Sequence, residues 1–215
     1  MSNKTIFIIF IIICLFQSLW VTYSLNNISK VEMVNKETTI VLTKEDFIQE
    51  NLQKIQKSVL YVADLDTKKE SSGIVLTSDG LILTLNTNIL KQNDFDFRSL
   101  GESKVYEVRK RDVARNLALV QIGEVNLTPC LFSDETSISL GENVYIVGSD
   151  KNGNYVFGEG IVRKSSGETD ILGDSSFDGA PVFNKKGEIL GIGKLNKNNL
   201  VEIILINSIR DFINL

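Results

Sequence analysis

The 215-residue sequence contains no histidine at all. That removes the commonest general base and the one side chain whose ordinary pKa lies near neutrality. Cysteine is scarce as well, with only Cys14 and Cys130. Cys14 lies within an apolar N-terminal run, which argues against a disulfide between the two. Zinc needs three or four soft ligands, and without histidine the chain does not supply them, so no metal or other cofactor is expected. The net charge is −4 and no basic tract stands alone. A nucleic-acid partner, which requires a concentrated positive surface, is therefore not expected. The local cluster Lys104–Arg115 also carries Glu107 and Asp112; it reads as a solvated strand and turn.

Apolar residues make up 43% and charged residues 23% of the chain, a globular composition. The chain opens MSNKTIFIIFIIICLFQSLWVTYSLNN and carries no charge from Thr5 through Ser29. A run of about 20 apolar residues is long enough to cross a bilayer, and Trp20 and Tyr23 suit its interface. Residues 1–25 therefore read as a transmembrane anchor, with residues 5–25 in the membrane. Lys4 ahead of the run favours a cytoplasmic N-terminus and a domain on the extracytoplasmic side. The alternatives are a signal peptide cleaved near Thr22-Tyr23-Ser24, giving a secreted protein, and a lipid on Cys14, which bulky Ile13 disfavours.

Residues 26–57 read as a stalk and a helix. The stalk ends in the β-prone TTIVL, and TKEDFIQENLQKIQK follows. Thr43 with Asp46 resembles a capping box, and Phe47, Ile48, Leu52 and Ile55 share one broad face. That face packs on the domain or on a partner. From residue 58 the pattern changes to short apolar runs split by turn residues. GIVLTSDGLILTLNT is two strands around Ser78-Asp79-Gly80, NVYIVGSDKNGNYVFGEGIVRK turns at Asn152-Gly153, and APVFNKKGEILGIG turns at Lys185-Lys186-Gly187. SVLYVADL, VYEV, LALVQI and LVEIILI add strands, and NSIRDFINL closes the chain as a short helix capped by Asn207 or Ser208. Many short strands and few helices predict an all-β barrel or sandwich.

The order of these hairpins resembles the trypsin-like domain of HtrA-type serine proteases. SSGIVLTSDGLILT is similar to the opening hairpin of that family, RDVARNLALVQI to its R-D-x-x-x-D-[LIV]-A strand, and TDILGDSSFDGAPVFNKKGEILGIG to the strand pair around its G-N-S-G-G-P motif. The resemblance implies a double β-barrel over residues 58–215, with an N-terminal barrel at about 58–125 and a C-terminal barrel at about 126–215. It further implies a cleft between the barrels, and no PDZ-like segment follows. It places the general base at Thr87, the acid at Asn116 and the nucleophile at Asp178, and each differs from the family's residue. Ser176, Phe177 and Asp178 form the oxyanion-hole region.

A threonine hydroxyl is not basic near neutral pH, Asn116 carries no charge to stabilise an imidazolium, and a carboxylate is a weak nucleophile toward an amide. The expectation is a pseudoprotease, with an extended peptide or partner protein in the old cleft. A serine-type endopeptidase with non-standard residues and a structural or regulatory partner of an active protease are the alternatives. A rebuilt Ser–Lys dyad would draw on Ser175 or Ser176 with Lys164, Lys185 or Lys186. Asp174 reads as a loop-ordering cap, and Thr87, Asn116 and Asp178 also suit a strand end and two hydrogen-bonded turns.

Overall fold

Alternating apolar residues with turn residues every few positions give antiparallel strands, because successive side chains of a strand face opposite sides. The structure, a computed structural model, describes residues 16–20, 23, 44–89, 95–99, 102–134 and 137–214. Residues 1–43 and 44–215 are separate units. In the first unit, residues 16–20 are helical, with Phe16, Leu19 and Trp20 exposed. No helix among the described residues is long and apolar enough to cross a membrane. Most of the 5–25 segment, Thr43 of the expected capping box and the TTIVL run lie outside the described residues.

The second unit opens with helix α1, Lys44–Gln56. Seven strands follow: β1 Val59–Asp64, β2 Lys69–Val75, β3 Leu81–Leu85, β4 Phe95–Ser99, β5 Glu102–Lys104, β6 Tyr106–Asp112 and β7 Leu117–Ile122. They form one sheet in the order β5-β4-β1-β2-β3-β7-β6. A second sheet holds β8 Asn143–Ser149, β9 Tyr155–Ile161, β10 Glu168–Leu172, β11 Pro181–Phe183, β12 Ile189–Leu195 and β13 Leu200–Leu205, in the order β10-β13-β12-β11-β8-β9. A bridge between Val162 and Thr169 joins the two ends of this sheet. The chain is thus all-β, two curled sheets with few helices.

Each sheet encloses its own apolar interior. Leu60, Val62, Val75, Ile82, Phe97, Val120 and neighbours fill the first; Val144, Ile146, Val162, Ile171, Phe177 and Val182 fill the second. The outer face of the first sheet, with Ile74, Leu83, Leu85, Leu117 and Leu119, packs on Ile206, Ile209 and Phe212 of the closing helix α2, Ile206–Ile213. Full burial of each such side chain contributes about 1.5–3 kcal/mol. Helix α1 turns Ile48, Leu52 and Ile55, spaced four and three apart, onto Tyr145, Val147, Phe183 and Ile189 of the second sheet. Its apolar face is therefore covered by the domain itself.

Two sequence expectations need adjustment here. Helix α2 starts at Ile206, and its N-cap is Leu205, with no side-chain capping bond, rather than Asn207 or Ser208. The strand before it runs directly into the helix, so Leu205's extended backbone already sets the boundary. Strands β4, β5 and β10 carry no clear sequence signal, because they are short and rich in charged or small polar residues, FDFRS, ESK and ETDIL. The Lys104–Arg115 cluster is a solvated strand and turn, exposed along most of β6.

Candidate functional site

The loops between strands bring the sequence-nominated residues to the seam between the sheets. Just beyond β3, the 3-10 turn Asn86–Ile89 carries Thr87 on its exposed side. Asn116 begins the approach to β7 in a left-handed conformation, φ 58°, which asparagine tolerates. The two residues bind each other: the Thr87 N–H donates to Asn116 Oδ1 at 2.9 Å, and Asn116 Nδ2 donates to Thr87 Oγ1 at 3.2 Å. Asn116 also accepts the Asn86 N–H on its backbone oxygen at 3.1 Å. This closes a local turn in which neither side chain is charged.

Asp178 sits at the end of a second 3-10 turn, Ser175–Phe177. Asp174 caps this turn: its Oδ1 accepts the Ser176 N–H at 2.9 Å and the Ser176 hydroxyl at 2.5 Å. The Phe177 N–H donates to the Asp174 oxygen at 3.0 Å and the Asp178 N–H to the Ser175 oxygen at 3.1 Å. Phe177 is 2% exposed, with its ring in the interior of the second sheet. Gly158 and Gly173 make room for it, since a Cβ on either would stand 3.0 Å and 2.2 Å from the ring.

The carboxylate of Asp178 is turned inward. Its side chain is 10% exposed and its Oδ2 lies 2.7 Å from Lys69 Nζ, at the start of β2. Its Oδ1 accepts the Leu195 N–H of β12 at 2.8 Å. Its backbone oxygen accepts the Ser72 N–H at 2.9 Å and Asn88 Nδ2 at 3.1 Å. The next residue, Gly179, has φ +85° and would carry a Cβ 2.2 Å from the Ser72 oxygen, so only glycine fits there. Asn88 follows Thr87 in the chain, so all three nominated positions fall in one neighbourhood, but the Asp178 carboxylate engages Lys69 and Leu195.

Lys69 is the residue that sequence reasoning missed. The lysines considered for a dyad lie elsewhere: Lys164 pairs with Glu168 at 2.7 Å, and Lys186 lies 3.8 Å from Glu188. Lys69 has no local signal, because it meets Asp178 only when β2 of one sheet faces the turn of the other.

The chemistry this allows is narrow. Stabilising an acyl-transfer oxyanion needs N–H groups aimed at empty space, in the trypsin arrangement those of the nucleophile and of the residue two before it. At the nominated position these would be the N–H groups of Asp178 and Ser176, and both donate into the turn itself. A buried carboxylate holding a lysine and a backbone N–H is also poorly placed to attack. Among the described residues no group of three or more His, Cys, Asp or Glu is disposed to hold a metal. Burial pushes the Cys130 thiol up to about 12, so it carries almost no thiolate near neutral pH.

Comparison with known proteins decides the lineage. Residues 71–192, more than half of the chain, match the trypsin-like peptidase domain family. The chain belongs to this family. Among curated relatives of this trypsin-like domain, a probable periplasmic DegP-like serine endoprotease of Pseudomonas putida strain F1 is 24% identical over 159 residues, 68% of this chain and 33% of that relative. A second, from Marinomonas sp. strain MWYL1, is 26% identical over 134 residues, 56% of this chain and 28% of that relative. The chain thus spans about a third of the length of the curated relatives it matches. The crystal structure of Deg5 superposes with a TM-score of 0.69 at 18% identity, covering 80% of this chain and 95% of Deg5. An inactive form of Rv3671c from M. tuberculosis H37Rv gives 0.66 at 15% identity, covering 76% and 88%. These structures share the trypsin-like fold, and the two curled sheets correspond to its two barrels.

Proposed function

We propose that this chain is an exported pseudoprotease of the trypsin-like family that holds an extended peptide or a partner protein between its barrels without cutting it. The observation that carries the reading is the state of Asp178. At the position where the family places its nucleophile, both carboxylate oxygens, the backbone N–H and the backbone oxygen already have partners inside the protein. With Thr87 and Asn116 bound to each other and uncharged, neither is poised to take a proton. A trypsin-like cleft still offers strand edges, and an extended peptide can add to one through main-chain bonds. Residues 5–25 tether the domain to the membrane with the barrels on the extracytoplasmic side, and the periplasmic naming of the relatives supports export.

Family membership favours one competing reading, a serine-type endopeptidase with unusual site residues. The reading as a structural partner of an active protease is weakened at α1, whose apolar face is covered by the second sheet. Hydrolysis of an unfolded, dye-quenched protein by full-length protein separates the first two readings, with Asp178→Asn and an active trypsin-fold protease alongside. No turnover by the wild-type chain is the expected result. Turnover that disappears in Asp178→Asn overturns the proposal and points to carboxylate-dependent chemistry.

A further inference from the structure

We infer that Lys69 and Asp178 form a clasp that holds the two barrels together at the position where the family places its nucleophile. This goes beyond the absence of cutting, because it assigns the pair a role that a merely inert residue would not have. Asp178 belongs to the second barrel's turn, yet its Oδ2 meets Lys69 Nζ of the first barrel at 2.7 Å, and its backbone oxygen accepts the Ser72 N–H at 2.9 Å and Asn88 Nδ2 at 3.1 Å. Its Oδ1 accepts the Leu195 N–H at 2.8 Å, tying the carboxylate to β12 of its own barrel. The carboxylate is therefore shared between one strand of each sheet.

The surroundings reinforce the bridge without duplicating it. Asn88 Oδ1 lies 3.4 Å from Lys69 Nζ, so one amide contacts both members of the clasp. The Ser72 hydroxyl donates to the Ser176 oxygen at 2.7 Å and accepts the Ser149 N–H at 2.9 Å, a second stitch across the seam. Arg98 adds a third, peripheral one at the Lys151 oxygen, 3.1 Å away. Of these, only the Lys69–Asp178 contact joins two full charges, and Asp178 is nearly enclosed. Lys69 is 38% exposed and can turn to solvent, so it is removal of Lys69 that leaves an enclosed charge, Asp178, uncompensated, and the effect concentrates where that carboxylate must reorient. That place is the Leu195 and Ser72 amides, not the barrel interiors.

Amide exchange in the full-length protein tests the clasp. In Lys69→Met, exchange at Ser72 and Leu195 should accelerate at least tenfold, while Val120 and Ile146 inside the two barrels keep their rates. The double variant with Asp178→Asn should exchange no faster than Lys69→Met, because the pair acts as a unit, and Lys69→Arg should restore slow exchange. Should Lys69→Met fail to fold, Lys69→Gln keeps a polar side chain and answers the same question. Unchanged exchange at Leu195 and Ser72 would overturn the inference. So would faster exchange in the double variant than in Lys69→Met, or equal acceleration at all four amides, which would mean a general loss of stability.

Discussion

Phe177→Ala removes the ring that anchors the closed turn. The native side chain is 2% exposed and lies among Val144, Ile146, Val162 and Ile171 in the second barrel. Gly158 and Gly173 leave the space it fills, and neither can move in to replace it, because each already lacks a side chain. The cavity would be lined by aliphatic groups, a setting that stays dry rather than recruiting water. A Phe→Ala change at such a site costs about 3–5 kcal/mol. For a domain of this size each kcal/mol moves the thermal midpoint by about 2–4 °C, so a drop of roughly 6–20 °C is expected. Thermal unfolding followed by near-ultraviolet circular dichroism measures it. A fall of less than about 3 °C would refute the reasoning. It would mean that the ring does not plug the barrel, and that burial of Phe177 does not hold the Ser175–Asp178 turn shut.

Restoring Thr87→His, Asn116→Asp and Asp178→Ser together should still leave the protein unlabelled by a serine-directed phosphonate, because the N–H groups of Ser176 and residue 178 remain committed to Asp174 and Ser175; efficient labelling would show that the turn opens readily. Cys130, whose thiol is pushed up to about 12 by burial, should react only slowly with a disulfide reagent at pH 8 in the native state and quickly once denatured. Because its folded pKa lies above the ordinary value of 9.0, its contribution favours the folded state in full below that value and is lost as pH rises toward about 12. An alkaline unfolding series of Cys130→Ala against wild type, in which the variant loses less stability between those limits, checks the sign.

Much of the fold was legible because it is local. The hairpin turn before Leu81 needs Gly80 at φ +96°, and the turns at Gly153 and Gly187 need φ +80° each, so glycine in those places announced the strand pairs directly. The spacing of Ile48, Leu52 and Ile55 announced α1, and the structure supplied the surface it covers. The loop-ordering role read for Asp174 also rests on neighbours within two or three residues, and it is the cap observed. β10 was harder to read, since a five-residue strand with two charged residues resembles a loop until β13 pairs with it.

The site divides along the same line. The sequence by itself determined that no histidine is available and that threonine, asparagine and aspartate stand where the resemblance expects a triad. It also suited Asp178 to a hydrogen-bonded turn. The tertiary structure decided what its carboxylate meets: the Leu195 N–H of β12, and Lys69 from the opposite barrel. It alone decided that Phe177 points into the barrel and that the N–H groups beside it close on their own turn. The physical reason is range. Backbone propensities and turn geometry act over a few residues and are written in short stretches of sequence, whereas the partner of a buried charge is whichever group two distant strands bring within hydrogen-bonding distance.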